Sequence, residues 1–565
     1  MYPDIWGAGA LFAASGLDFV VDYHNQLAGI LMGDRIGVRF YTEPSSEIYI
    51  SLKYEQFTKL VWQIVASDII YGKMSNENGE NAEIVFSFVS SNSIIGKCPV
   101  GTFRAIVGEE KIMKVTDSCM IDGHSFDLAL NSDGEHDYFM FSYDKKSHYV
   151  SALDVEKTVL EKKAFFDNIQ KPAIKNQRVA RTLAKTLSIM KSQVYSPQGM
   201  FKQRWTTPDR LPHKALWLWD SIFHSIGNFY IEPTLARDSI YSVLDSELEN
   251  GFIPHRADPE KRSNITQPPV IAWGVLSLIK KTGKKEWFED RLDKISAYLE
   301  WDIRERSTPD GMFHWCIEDT GENCACAESG MDNSSRFDVI VEMDHIDFTG
   351  FMLNEYEAMI SLCEIYGRDK EKAIWVARYN QLKEKMQTLL WDSKQNFFYD
   401  RICSTKEFSK VKSIASYIPL FAGACTEEQA EYLVRSLNDE KEFGTPLPCP
   451  SLSITDPTFG TDMWRGPVWI NYVYFICNGL IRYGYKNLAK NIIKKVVYEL
   501  VRWYENEGVF FEYYDNNMQK TPKRLRRKGD PVEPGNLIIT DQSIRDYGWS
   551  ASLFAAMVYE NPEIF

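Results

Sequence analysis

Nine residues, Glu328-Ser-Gly-Met-Asp-Asn-Ser-Ser-Arg336, bring two carboxylates and a guanidinium together. Gly330 interrupts any helical pattern, so the stretch reads as a loop at a helix start. From such a loop Glu328 or Asp332 can aim a carboxyl group into a cavity for acid–base work, while Asn333, Ser334 and Ser335 tie the loop to itself. The same composition suits a capped acidic loop at a helix N-terminus. The stretch becomes a candidate site through its company, because aromatic-plus-acid motifs recur on both sides of it.

Upstream, His213-Lys-Ala-Leu-Trp-Leu-Trp-Asp220 sets Trp219 beside Asp220, with His224 following. A Trp–Asp pair can stack a sugar face and accept two hydroxyl bonds, although Trp217 and Trp219 equally suit a core. Gly251-Phe-Ile-Pro-His-Arg256 and Thr266-Gln-Pro-Pro-Val270 add His255 and Gln267; proline in the second suits a first helical turn. Downstream, Asp462-Met-Trp-Arg-Gly-Pro-Val-Trp469 is the densest aromatic–polar run, with Arg465 between Trp464 and Trp469. An arginine in that setting requires carboxylate or carbonyl partners. Gly508-Val-Phe-Phe-Glu-Tyr-Tyr-Asp515 embeds Glu512 and Tyr513 among rings, where carboxyl pKa values shift, and Asp546-Tyr-Gly-Trp549 opens the last helical pattern.

The elements that carry these motifs fall into two halves. Residues 1–160 read as a β-rich domain, with strands over Arg35–Tyr41, Glu47–Leu52 and Ala82–Val89 and shorter ones near Thr102–Val107, Tyr138–Tyr143 and Tyr149–Leu153. Several short strands at this spacing predict a sandwich, one that supports the site without performing its chemistry. Residues 161–175 form a linker around Lys171-Pro172, and 176–565 form the second domain. Periodicity there is helical: near 173–195, 216–230, 233–248, 268–281, 285–304, 346–366, 370–390, 410–422, 427–438, 467–484, 486–505 and 546–559. That number of helices fits a mainly α architecture, an α/α toroid of six hairpins whose loops converge on one mouth.

Composition sets limits. At 565 residues the chain exceeds one ordinary domain, and 44% hydrophobic with 13% aromatic residues supports a large core. Acids exceed bases by 78 − 64, a formal charge of −14 that argues against general nucleic-acid or anionic-membrane binding. No apolar run is long enough to span a bilayer, and the first residues lack the pattern of a signal peptide. Ten cysteines without a paired cluster, Cys324 and Cys326 being the one close pair, point to thiols in a reducing cytoplasm.

Taken in order, WLWDSIFH (217–224), GFIPH (251–255), TQPPVIAW (266–273), ESGMDNSSRFD (328–338), DMWRGPVWINYVYF (462–475), FFEYYD (510–515) and YGWS (547–550) resemble the glycoside hydrolase clan of family 63. The likeness is to its bacterial α-glucosidase and mannosylglycerate or glucosylglycerate hydrolase members, with trehalases more distant. The resemblance implies an (α/α)6 barrel that hydrolyses an α-glycosidic bond with inversion, releasing glucose or mannose from a small glycoside or oligosaccharide. It implies Asp332 as general acid and Glu512 as general base. Trp219, Asp220, Gln267, Trp464 and Arg465 then fall on sugar-binding positions, and His255, Arg336, Trp469, Tyr513 and Trp549 complete the expected substrate-binding set. Ser335 stands where many relatives have proline.

Inverting cleavage makes the same demand: one protonated carboxyl at the glycosidic oxygen and one ionised carboxyl activating water on the opposite face. Neither metal nor organic cofactor is expected, and the partner is a small carbohydrate. Two other classes remain on the same scaffold. A silent carbohydrate-binding protein would lack one of the carboxylates, and a phosphorylase or epimerase would replace the base by other chemistry. The basic segment KTPKRLRRK (520–528) follows no motif of the family. It suits a solvated loop, or a cover over the mouth that draws in an anionic leaving group through Lys523, Arg524, Arg526, Arg527 and Lys528.

Overall fold

The computed structural model describes residues 1–31, 37–41, 48–52, 57, 59–107, 111–112, 118–121, 123–211, 213–317, 324–528 and 543–565. The first part is β-rich. Its strands, numbered β1 to β13 in chain order, are Leu11–Ala13, Ala28–Leu31, Gly37–Tyr41, Ile48–Leu52, Lys59–Val65, Ile69–Ser75, Asn81–Ser90, Ser93–Pro99, Phe103–Val107, Lys111–Ile112, Ser118–Ile121, His124–Ser132 and His136–Tyr143. They form two antiparallel sheets, ordered β1-β2-β3-β4-β9-β10 and β11-β12-β13-β8-β7-β6-β5. Phe86, Phe88, Ile94, Phe139 and Phe141 from the second sheet share one buried core with Phe12 and Ile50 from the first. The predicted strands over Ala82–Val89, Thr102–Val107 and Tyr138–Tyr143 are present as β7, β9 and β13. Arg35 and Glu47 of the other two lie outside the described residues.

Tyr149–Leu153 is not a strand. Ser151 caps the helix α1, Ala152–Asn168, in a box with Asp154: the Ser151 side chain accepts from Asp154 N–H, and the Asp154 carboxylate accepts from Ser151 N–H at 2.9 Å. A satisfied capping box outweighs the extended preference of Tyr149 and Val150.

Twelve more helices are found among the described residues: Gln177–Ser192 (α2), Leu218–Asn228 (α3), Pro233–Asp245 (α4), Ile271–Thr282 (α5), Leu292–Arg306 (α6), Ile346–Ile365 (α7), Asp369–Leu389 (α8), Ile418–Phe421 (α9), Glu427–Asn438 (α10), Ile470–Arg482 (α11), Lys486–Glu507 (α12) and Gly548–Glu560 (α13). Two, α6 and α9, begin well after their predicted starts. Phe288, at φ −119°, breaks the segment before α6 into 3₁₀ turns. Ser413 bridges to Leu452 and Ile414 N–H donates to Ser451 O, which draws residues before α9 into a ladder.

The helices alternate in environment. α3 packs on α5, α5 on α7, α7 on α9, α9 on α11, α11 on α13, and α13 on α3 again. α4, α8, α12 and α2 lie against α3, α7, α11 and α13. The sequence dictates this division: α13 is buried over most of its length, whereas α8 buries Trp375, Leu382 and Met386 and otherwise carries charge. The motif segments all lead into N-termini of the first set, so they gather at one end. No helix among the described residues is long and apolar enough to cross a membrane.

The β-rich part is clamped to this end. Buried Asp68 pairs with Lys162 at 2.8 Å and with Lys191 at 2.5 Å. Burial alone would raise its carboxyl, but the two cations hold it far below the usual range. Asp546 accepts from Leu11 N–H at 2.9 Å, Phe510 N–H at 3.1 Å and Lys185 Nζ at 2.7 Å. Strand β1 and the segment leading to Glu512 therefore share one carboxylate.

Candidate active site

The loop between α6 and α7 separates the two carboxylates of the acidic stretch. Glu328 is wholly buried and accepts from Arg306 Nη2 at 2.8 Å, Cys316 N–H at 2.6 Å and Thr266 N–H at 3.2 Å. It is a structural anchor. Gly330 then turns the chain at φ +70°, where an added Cβ would collide with the Trp219 ring; only glycine fits both conditions. Beyond the turn Asp332 presents a side chain 20% exposed, its Oδ2 at 2.6 Å from Lys528 Nζ. The stretch is a loop framed by short 3₁₀ turns, Ala327–Ser329 and Ser335–Phe337.

Arg336 has no donor to spare. It reaches Asp400 at 2.7 and 2.9 Å and Asp347 at 2.7 and 2.8 Å, and its remaining N–H faces Met331 Sδ. Both partners hold it firmly protonated against burial. This corrects the expectation that Arg336 binds substrate: its guanidinium positions the acid loop against α7.

Glu512 stands just before a two-residue strand, Tyr513–Tyr514. Val468 pairs with Tyr514 and Trp469 with Tyr513, while Glu512 N–H donates to Ile544 O at 2.9 Å. The carboxyl is buried and ion-paired with Arg527. Burial pushes it above the usual carboxylate range, and Arg527 and His213 oppose that push. The rings of the neighbouring motifs pack on one another. Trp464 and Trp469 stack at 3.8 Å with planes 3° apart, and Trp469 packs on Tyr513 and Trp549. Trp549 Nε1 and Ser550 Oγ both donate to Glu512 O.

The basic segment is no solvated loop. Lys523 pairs with Glu507 at 2.7 Å, Arg527 with Glu512 and Lys528 with Asp332. Two of its six cations thus touch the two candidate catalytic carboxylates. Their adjacency in sequence was the available signal, and the partners' identity was not readable from it.

The remaining predicted residues form one connected shell. Gln267 Oε1 accepts from Trp219 N–H at 3.2 Å, and His255 O accepts from Leu218 N–H at 3.0 Å. Asp220 is buried, and its carboxyl is pushed well up by burial and then by Glu512, with Tyr547 OH at 3.5 Å. Burial lowers His255 to about 4 against the pull of Asp332, so it is neutral at pH 7; its Nδ1 lies 2.6 Å from Ser263 Oγ. Arg465 has the expected partners: Asn333 O accepts from its Nε at 2.8 Å, and Asp338 takes the guanidinium end. Asp462 and the Asp209–His213 pair at 2.8 Å were missed as site residues. Asp462 accepts from Asn333 Nδ2 at 3.1 Å and from Lys528 N–H at 2.9 Å, joining acid loop and basic segment. Among the described residues no group of three or more His, Cys, Asp or Glu is placed to hold a metal ion.

Residues 212–550 match the model of the mannosylglycerate hydrolase MGH1-like glycoside hydrolase domain. The chain belongs to this glycoside hydrolase family. Within it, the chain is similar to mannosylglycerate hydrolase MGH1 of Selaginella moellendorffii, 26% identical over 398 residues covering 55% of this chain and 77% of that one. An uncharacterized protein of Borreliella burgdorferi is 25% identical over 291 residues, 50% of this chain and 58% of its own length. A GH63 mannosylglycerate hydrolase from Thermus thermophilus, solved in complex with glucose, shares the fold at a TM-score of 0.53 and 22% identity, over 66% of this chain and 98% of that one.

Proposed function

We propose that this family member is an inverting, exo-acting hydrolase of α-linked glucose or mannose on small glycosides. Two carboxylates from different loops carry the reading: Asp332, partly open to solvent, and Glu512, buried and paired with Arg527. Inversion needs a pair in unlike surroundings. Asp332 protonates the glycosidic oxygen and Glu512 takes a proton from the attacking water. Trp219, Asp220, Gln267, Trp464 and Arg465 form the sugar subsite; His255, Trp469, Tyr513 and Trp549 hold it in shape. The helix order supports an (α/α)6 toroid over residues 176–565, and the two sheets a β-sandwich domain over 1–160. We place the enzyme in the cytoplasm, in keeping with free thiols at the nine cysteines whose side chains are described.

A panel of α-linked glucosides, mannosides and glycosyl-glycerates, assayed for released monosaccharide with and without phosphate, tests the reading. Release independent of phosphate is expected. Strict phosphate dependence would replace the hydrolase by a phosphorylase, and no release from any member would leave the scaffold as a carbohydrate binder.

A further inference from the structure

The β-rich half reaches the candidate base through the chain that opens its first strand. Asp4 N–H and Ile5 N–H both donate to Tyr504 OH at 3.3 Å. Gly7 then passes so close to the end of α12 that an added Cβ would lie 1.7 Å from Glu507 O. Leu11, the first residue of β1, donates its N–H to Asp546 Oδ2 at 2.9 Å. Residues 4–11 thus touch both chain segments that meet at Glu512, the one leading out of α12 and the one leading into α13.

Asp546 is the junction. It is buried and stands at φ +49°, uncommon for a residue with a side chain. Its Oδ1 accepts from Phe510 N–H at 3.1 Å, two residues before the base. Its Oδ2 accepts from Leu11 N–H and, at 2.7 Å, from Lys185 Nζ of α2. Its backbone carbonyl accepts from Gln193 Nε2 at 2.7 Å. Next to this junction, the antiparallel bridge between Phe511 and Arg545 and the bond from Glu512 N–H to Ile544 O carry the register to the base itself. A carboxylate offers acceptors only, and three donors converge on this one. Leu11 and Lys185 both precede residue 212, where the match to the glycoside hydrolase family begins, so this support comes from outside the matched stretch.

We propose that Asp546 is a positioning residue for Glu512, and that the β-rich half, through Leu11, holds the general base in its working place. Oδ1 grips the base strand while Oδ2 grips β1 and α2, so a shift of either is passed to Glu512 through one side chain. The Glu512 carboxyl must stand where it takes a proton from water on one face of the sugar, and a misplacement of about 1 Å costs on the order of 10²-fold in rate. This inference rests on Glu512 being the base.

Asp546→Asn is the direct test, because the new NH2 must face one of the three donors. Leu11→Pro removes a single donor at the first residue of an edge strand, where proline is tolerated, and carries the test alone if Asp546→Asn does not fold. Lys191→Met is the control: it cuts a separate tie between the β-rich half and α2 and leaves Asp68 paired with Lys162. Folded protein of each variant is assayed on alkyl α-glycosides and on α-glycosyl fluorides, whose leaving group needs no proton. Asp546→Asn and Leu11→Pro are expected to lower kcat by about ten-fold or more on both substrates, with KM within about two-fold of wild type. Lys191→Met should lower the melting temperature and leave kcat unchanged. Wild-type kcat in Asp546→Asn or Leu11→Pro overturns the proposal. So does a loss confined to the alkyl glycosides, which would place the effect on the acid, or an equal loss in Lys191→Met, which would reduce it to general docking. If the wild-type protein cleaves no glycoside, the hydrolase reading falls separately. Amide hydrogen exchange over residues 508–515 then decides. Faster exchange in Leu11→Pro but not in Lys191→Met supports the positioning; exchange unchanged in Leu11→Pro, or equally fast in Lys191→Met, ends it.

Discussion

Arg306 Nη2 lies 2.8 Å from Glu328 Oε1, and the same carboxylate takes two backbone N–H groups. The pair divides labour within the acidic loop. Glu328 is saturated and inaccessible, whereas Asp332, four residues on, keeps an open edge.

Asp332→Asn is therefore expected to lower kcat on alkyl glycosides by about 10²–10⁴-fold, the usual worth of a general acid, with little change in melting temperature. Glu328→Ala should do the reverse: lost fold stability before any specific loss of chemistry. Thermal melts beside rates of sugar release separate the two. Near wild-type turnover in Asp332→Asn would move the acid elsewhere.

The stereochemical outcome tests Asp332 and Glu512 as a pair. For water to fit between sugar and base, their carboxyls should stand about 6.5–9.5 Å apart in the substrate complex. The first product from an α-glycoside is then the β-anomer, seen by proton NMR before mutarotation. Early α-anomer would mean that Glu512 attacks the sugar directly. Glu512→Gln should abolish turnover in either case, so the anomer decides.

Arg336→Met should destabilise the protein strongly. Removing the cation strands Asp347 and Asp400, both buried, and breaking such a pair typically costs about 3–5 kcal/mol. Denaturant unfolding would show the loss. A variant as stable as wild type would return Arg336 to the list of sugar-binding residues.

Glu355 should leave a mark on stability against pH. It caps α5 by accepting from Ala272 and Trp273 N–H at 2.7 and 2.9 Å, and burial pushes its carboxyl up to about 7. Below pH 4.5 the folded and unfolded chains are both protonated. Between there and pH 7 the unfolded chain ionises first, so this group's contribution falls as pH rises, by roughly 3 kcal/mol in all. Glu355→Gln removes the titration. Its melting temperature relative to wild type should rise from pH 5 to pH 8; a flat difference would mean the carboxyl ionises normally.

Sequence by itself determined the helices and the motifs. Apart from α6 and α9, the helical segments of the second half appear within a few residues of their predicted positions, because the alternation of apolar and charged faces is a local property that follows the helical repeat. The seven motifs are short, and each loop's chemistry is written in consecutive residues. Both candidate carboxylates and the need of Arg465 for carboxylate and carbonyl partners were legible in this way.

Tertiary structure decided which polar groups meet. Arg336 was placed among the sugar-binding residues because nothing local reveals that Asp400, 64 positions away, consumes its donors. Trp464 and Trp469 fall on expected sugar-binding positions, and only the fold shows that their rings stack on each other. Arg527 and Lys528 read best as a solvated loop, and their partners stand elsewhere in the chain, at Glu512 and Asp332. A side chain's charge is local information, but its partner depends on which loops the packing of helices brings to the same end of the molecule.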